Sequence, residues 1–471
     1  MRSATIIGSG PNGLSAAIVL AQAGVQVTVH ERNPQVGGAC TSAEITLPGF
    51  LHDLGASALP MAAASPFFRS LPLQQYGLHF ADPEFPLAHP LDDGSAIALT
   101  RSLADMHAQL PREDATAWKR FFTPVVKNWD KLIPDILGPL VHIPKHPLAL
   151  ARFGLPALLP ATTFAHTFFH KQRAQALFAG CAAHSVMPLE APLCSSFGIV
   201  LAAAAHAVGW PVATGGSQAL SNALASHLQT LGGTIHLSSP IVSLDQLDPA
   251  DTLFFDTSAR TLEQLAAPRL GPAYSRSLSR FKPGPGVFKI DYALSERIPW
   301  TAEICRRAST IHVGGTLEEI ARAEADVFAG KYPDKPFLIL VQPSVADPTR
   351  APEARHTAWA YCHVPNGSTL DRTQAIEDQI TRFAPGFRDV VLARRTYSTA
   401  QLEAWNPNLL GGDLSGGAMS AKQMLMRPTI RDYATSDPRI FLCSSYSPPG
   451  GGVHGMCGFH AARLALSRTP S

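Results

Sequence analysis

The apolar positions of this chain change period several times, and each change marks an element. A short apolar run, Ala4 to Ile7, meets "GSGPNG"; "LSAAIVLAQAG" then has the spacing of a helix closed by Gly24. "VQVTVHE" follows with β-branched residues and predicts a second strand closing on Glu31. The middle of the chain repeats the scheme. After Gly215 and Gly216, Leu220, Leu224 and Leu228 fall on one helical face; Gly232 and Gly233 stop the helix, and "TIHLSS" returns as a strand. "DTLFFDTSA" predicts a buried strand ending at Asp256. Near the end, "RIFLCSS" predicts another, and "PPGGGVHGMCGFHAA" turns through glycines into a last helix.

Between these segments the pattern differs. "GVFKIDYAL", "FLILVQPS" and "TAWAYCHVP" read as strands, and "LDDGSAIALT" as a turn entering one. "TLEEIARAEADVFAG" predicts an amphipathic helix opened by a capping box of Thr316 and Glu319. "FGIVLAAAAHAV" is too short to span a bilayer and contains His206, so a buried helix is expected. The preceding block is helical and aromatic, with "WKRFFTPVVKNW" and "ATTFAHTFFH". Its proline-broken stretch "LIPDILGPLVHIPKHPLALARFGLPALLP" is greasy enough to suggest peripheral contact with a membrane.

Composition narrows the classes. With 471 residues, 46% hydrophobic and 16% charged, the chain can bury a large core in two or three domains. A net charge of +2 without clustered Lys and Arg leaves no footprint for nucleic acid. Seven cysteines are scattered without CxxC spacing, which points to reduced thiols and a cytoplasmic setting. No segment resembles a signal peptide, since a strand pattern starts almost at once.

Gly8, Gly10 and Gly13 carry the GxGxxG spacing within a complete strand, turn, helix, strand, acid unit. Gly8 allows the turn, Gly10 lets a pyrophosphate approach the backbone, and Gly13 lets helix and strand pack closely. The helix N-terminus, opened by Pro11 and Asn12, offers free N–H groups to phosphates. Glu31 suits the ribose hydroxyls and disfavours a 2′-phosphate. This much predicts a dinucleotide without choosing which one.

The run "GSGPNGLSAAIVLAQAGVQVTVHERNPQVGGA" resembles the N-terminal FAD signature of phytoene desaturase-like flavoproteins of the amine oxidase superfamily. "PGFLHDLGAS" is similar to the family's PGF-x-x-D-x-G segment, here Pro48 to Gly55. "NLLGGDLSGGAMSAKQMLMRP" and the triple-glycine loop resemble the subgroup related to pyridine nucleotide-disulfide oxidoreductase domain-containing protein 2. The resemblance implies an α/β fold (α+β overall): a Rossmann-like FAD-binding domain of the glutathione reductase/amine oxidase type, with a mixed-sheet and helical substrate domain. Residues 1–76, 210–271 and 425–471 would form the first, and 77–209 with 272–424 the second. It implies FAD as cofactor, held by Gly8, Gly10, Pro11, Asn12, Gly13, Glu31, Arg32, Gly37, Gly38 and Ala39. Further contacts would come from the backbone of Val242, from Ser444 and Ser445, and from Gly451, Gly452, Val453 and Gly455. Relatives usually carry a glycine at the last strand end; Cys443, Ser444 and Ser445 replace it here.

An FAD-dependent oxidoreductase desaturating a small hydrophobic substrate is the leading expectation, with oxygen or a quinone as electron acceptor. A flavin amine or amino-acid oxidase and a non-catalytic regulatory flavoprotein are the alternatives, and a homodimer is entertained. His454, inside the glycine loop, is the candidate catalytic residue, a proton relay near neutral pH or a loop histidine bonded to a carbonyl. No metal is expected. His142 and His146 flank Pro144, and His166 and His170 could share a helix face but lack the glutamate and third ligand of a zinc site.

Overall fold

Two sheets organise the protein, and their strands interleave along the sequence. Residues 1–139 and 141–468 are described by the structure, a computed structural model. The early strands are β1 (Ser3–Ile7), β2 (Gln26–His30), β3 (Ser42–Glu44), β4 (Leu51–Asp53) and β5 (Phe80–Ala81). Next come β6 (Phe85–Pro90), β7 (Ala96–Leu99), β8 (Val212–Ala213), β9 (Thr234–His236) and β10 (Thr252–Phe255). The later ones are β11 (Gly286–Leu294), β12 (Ala308–Val313), β13 (Leu338–Val341), β14 (His356–Val364), β15 (Val391–Tyr397) and β16 (Ile440–Leu442).

The first sheet has the order β16-β10-β1-β2-β9, with every neighbouring pair parallel. A parallel sheet is covered on both faces, so its strands read as continuous apolar runs. Ile6, Phe254 and Phe441 face the core shared with the Pro11–Gln22 helix. Ile7, Leu253, Phe255 and Leu442 face the other way, onto the Ala259–Ala266 helix. The last helix, Met456–Arg468, packs on Pro11–Gln22 through Gly458; a Cβ there would collide with the Asn12 carbonyl. Two helix N-termini therefore stand side by side. Its strands come from residues 1–76, 210–271 and 425–471.

The second sheet is mixed, in the order β15-β11-β14-β13-β12-β6-β7. Register separates its faces. Lys289 lies opposite Tyr361 and Asp291 opposite Trp359; Tyr361 lies opposite Ile339, and Trp359 opposite Val341. Because side chains alternate, these residues share one face with Val287, His363, Thr310 and His312. The other face carries Phe288, Ile290, Ala360, Cys362, Leu340 and Ile311 and packs against Ile376, Ile380 and Phe383 of the Thr373–Phe383 helix. The helices of residues 103–207 close over the first face. Among them Cys194–Ala207 is buried, as its composition predicts.

The capping box of Thr316 and Glu319 opens the Leu317–Phe328 helix as expected. His166 is in the Ala161–Phe168 helix, but His170 lies beyond its end, so the two do not share a helical face. All seven cysteines are free and buried.

Candidate functional site

The N-terminal unit folds as its glycines require. Gly8 has φ of +102°, a conformation that side-chain-bearing residues avoid, and Gly10 closes the turn as N-cap of Pro11–Gln22. The N-cap residue has no side chain to bond back, Pro11 carries no N–H and Gly13 donates its own to Asp256, which leaves the Asn12 N–H open at the helix start; the Asn12 Oδ1 is buried without a partner. Glu31 is buried at the tip of β2. Its Oε2 accepts from the Ser9 N–H at 3.0 Å and the Ser9 hydroxyl at 2.7 Å, and Oε1 accepts from the Asn33 N–H at 2.9 Å. A carboxylate has about four acceptor positions, so capacity remains for a hydroxyl. Gly38 lies on Gly10, 3.2 Å from the latter's Cα to where a Cβ would be, which stacks the second glycine pair on the first loop. These donors and this cradle suit the diphosphate and ribose of a dinucleotide.

Beneath the loop sits Asp256, at the end of β10. It accepts the Gly13 N–H at 3.0 Å, and a side chain on Gly10 would fall 2.5 Å from its carboxyl. Burial, reinforced by Glu31, raises its pKa to about 7.

The tail supplies the opposing wall. Arg427 is fully buried and donates to the carbonyls of Ser415, Gly416 and Ser445 at 2.6, 2.7 and 3.0 Å. Asp413 accepts the N–H groups of Gly284, Ser415 and Gly417 at 2.7 to 2.8 Å. Together they hold the "GGDLSGG" segment against the glycine loop, which approaches Arg427 at Gly450. His454 is buried in this loop. Its Nδ1 accepts the Met456 N–H at 3.0 Å, so the hydrogen is on Nε2, which has no partner.

One cavity of about 1170 Å³ joins these walls, more than a single drug-sized ligand needs. From the glycine loops it passes over Lys289, Trp359, Tyr361 and His363 and ends among Leu150, Phe153, Ala157, Phe197, Val200 and Leu201. Trp359 and Tyr361 lie nearly parallel, 5.7 Å apart at 10°. The Lys289 ammonium is 5.4 Å from the Trp359 ring, donates to Asp291 at 2.5 Å and to the Asp53 carbonyl at 3.2 Å. Burial raises the Asp291 pKa to about 6 against the pull of Lys289. His52 beside it is held neutral, with its pKa lowered to about 3 by burial and Lys289.

The structure brings most of the expected residues together. Gly8, Gly10, Pro11, Asn12, Glu31, Arg32, Gly38, Ala39, Val242, Ser444, Ser445, Gly451, Gly452, Val453 and His454 all line the cavity. Gly13, Gly37 and Gly455 do not. Gly13 packs against the Gly8 carbonyl and Asp256, Gly37 against Cys40 and Ser221, and Gly455 against Ser15 and Phe68, so each shapes the wall from behind. Val242 lies in an exposed segment with its N–H already donated to Gln246, leaving its carbonyl free. Burial, with His460 and against the Gly450 and Gly451 backbone, lowers the His454 pKa to about 4, which favours the reading of a neutral loop histidine over that of a relay near neutral pH. Sequence reading passed over Asp256, Lys289, His363 and Arg427. Lys289 and Asp291 look like the wet face of a strand, and only the covering helices make that face a cavity floor. Among the described residues no three His, Cys, Asp or Glu side chains form a metal-binding group.

The model of the NAD(P)-binding Rossmann-like domain family matches residues 6–71. Over 98% of its length the chain is 28% identical to mouse (Mus musculus) pyridine nucleotide-disulfide oxidoreductase domain-containing protein 2, covering 93% of that protein. It is 25% identical, over 77% of its length and 76% of the relative's, to a 4,4′-diapophytoene desaturase from Staphylococcus haemolyticus. An oxidoreductase structure from Methanosarcina mazei superposes over 99% of this chain and 100% of that one, with a TM-score of 0.68 and 16% identity. Amine oxidases share the same fold. The protein thus has a Rossmann-like domain within a fold that it shares with amine oxidases.

Proposed function

We propose that the protein is an FAD-dependent oxidoreductase that dehydrogenates a hydrophobic substrate. One observation carries this: the glycine jaw, the tail loop and an apolar arm line a single cavity. FAD, when bound, supplies hydride-accepting chemistry. The cavity-lining residues from Gly8 to Ala39 would hold its diphosphate and ribose, and Ser444, Ser445 and Gly451 to Val453 its far end. His454 keeps a hydrogen on Nε2 at neutral pH, and Lys289, bonded to Asp291, stands in the wall. Trp359 and Tyr361 offer flat faces that orient an unsaturated chain. Similarity to a diapophytoene desaturase supports double-bond formation as the reaction.

Amine oxidation is a second reading, favoured by the parallel Trp359–Tyr361 pair. The Lys289 ammonium, however, already lies 5.4 Å from the Trp359 ring, where a substrate cation would stack.

Protein supplied with FAD should turn yellow, with absorbance near ~450 nm. Anaerobic incubation with metabolite extracts, read by mass spectrometry, should reveal an apolar compound that loses two hydrogens. Flavin reduction by amines alone would favour the second reading. Reduction by neither leaves a regulatory flavoprotein, and a protein unable to take up FAD would sink all three. Reoxidation by oxygen or by a quinone then identifies the acceptor.

We also propose peripheral contact with an anionic membrane through the Pro147–Ala157 helix. No single helix among the described residues is long and apolar enough to cross a bilayer. This one nevertheless turns Phe153 and Ala157 to the cavity and leaves Leu148 83% and Leu155 70% exposed, with Lys145, His146 and Arg152 beside them. An apolar face flanked by the cations Lys145 and Arg152 suits an anionic lipid surface. The protein should float with vesicles containing phosphatidylglycerol, and Leu148→Asp with Leu155→Asp should reduce the floated fraction at least several-fold. Equal flotation of both proteins would count against the contact.

A further inference from the structure

The apolar arm contains one polar device that the proposed dehydrogenation does not use. His363 of β14 lines the cavity while being almost wholly buried. Its Nδ1 lies 2.9 and 2.8 Å from Glu324 Oε1 and Oε2, on the buried face of the Leu317–Phe328 helix. Its Nε2 is buried without a protein partner. His184, in the cavity wall beside it, is occupied in turn by His312, with the two Nε2 atoms 3.0 Å apart. Burial lowers the His184 pKa to about 3, so this ring adds no positive charge there.

A carboxylate on Nδ1 dictates the tautomer. The ring hydrogen is on Nδ1, and Nε2 presents a lone pair. An acceptor buried without a partner is costly unless a ligand supplies the missing donor. Such a donor must sit on a molecule otherwise matched to leucine, valine and aromatic walls. An ammonium would carry a full charge into those apolar walls at a desolvation cost that a hydroxyl avoids. A neutral hydroxyl meets both demands.

We propose that the Glu324–His363 pair is a hydrogen-bond-accepting subsite that binds the hydroxyl group of an otherwise apolar substrate, a long-chain or terpenoid alcohol. This rests on the reading of the cavity as the substrate site. His363 makes the contact; Glu324 is a positioning residue that acts through the His363 tautomer.

Calorimetric titration with farnesol, farnesal and farnesene tests it without turnover. The wild-type protein should bind farnesol about tenfold more tightly than farnesene, the worth of one good hydrogen bond. His363→Leu should abolish that preference while leaving farnesene binding within about twofold of wild type, as expected for a lost hydrogen bond alone. Glu324→Gln can donate its amide hydrogen to Nδ1 and move the ring hydrogen to Nε2; farnesal, which accepts only and should bind wild type no better than farnesene, should then gain about tenfold, while farnesol, which can also accept, keeps its affinity. A merely structural glutamate would produce no such selective gain for the aldehyde. Equal affinity of wild type for alcohol and hydrocarbon, or a preference retained in His363→Leu, overturns the subsite and leaves the apolar cavity standing. Failure of all three compounds to bind overturns both.

Discussion

Asp256→Asn is expected to stabilise the protein at pH 8 by up to about 4 kcal/mol, with little effect at pH 4. The folded protein raises this carboxyl from 3.8 to about 7, first by burial and then through Glu31. A raised acid contributes stability that is complete below the unfolded pKa and is lost as pH rises through the folded one. The loss therefore develops between about pH 4 and 7 and persists above it. Asparagine carries no charge at any of these values and retains an oxygen for the Gly13 N–H. Chemical denaturation of both proteins from pH 4 to 8 checks this. A stability difference that stays constant across the range would remove Asp256 as its source. The carboxyl also lies where the proposed FAD phosphates would approach, so the variant should retain flavin better at pH 8 than wild type does.

Arg350→Met should cost about 3 to 5 kcal/mol, because it strands two buried acids. Arg350 is wholly buried and donates to Asp347 at 2.7 Å, Asp53 at 2.9 Å and the Ala213 carbonyl at 2.9 Å. Asp53 also accepts from Ser42, Ser57 and the Ser217 N–H. Burial alone would raise its pKa; Arg350 and those hydrogen bonds outweigh burial and lower it. Asp53 is the acid of the "PGFLHDLGAS" segment, so this cluster ties the hairpin of β3 and β4 to the start of the Gln218–Thr230 helix and to the second sheet. Denaturation midpoints at pH 7 measure the loss, and adding Asp53→Asn to Arg350→Met should recover part of it. A double variant as unstable as the sum of both single changes would exclude charge stranding as the cause.

Much of the nucleotide half was legible along the chain because its rules are local. A strand, a tight glycine turn and a helix start are neighbours in sequence, and Glu31 follows at the strand's end, so spacing alone places them together. The capping box at Thr316 and the breaks at Gly24 and Gly232 are local in the same way. The resemblance of the tail loop added that a second glycine cluster would face the first, which local rules alone do not give.

The site's other residues follow different rules. Asp256 is an ordinary strand-end acid until β10 inserts beside β1 and carries it under the glycine loop. Asp53 and Arg350 are nearly three hundred residues apart (297) and acquire meaning only as a pair. Lys289, Trp359, Tyr361 and His363 sit on three-dimensional neighbours, β11 and β14, whose antiparallel register aligns them on one face. Whether that face meets water or a cavity depends on helices contributed by residues 103–207. His454 sits in its glycine loop, and the lowering of its pKa comes from burial, which residue type does not reveal. Local spacing was enough to specify where the glycine turn, the helix start and Glu31 come together. Protonation, ion pairing and the identity of the cavity floor are sums over distant segments, and they exist only once the chain has packed.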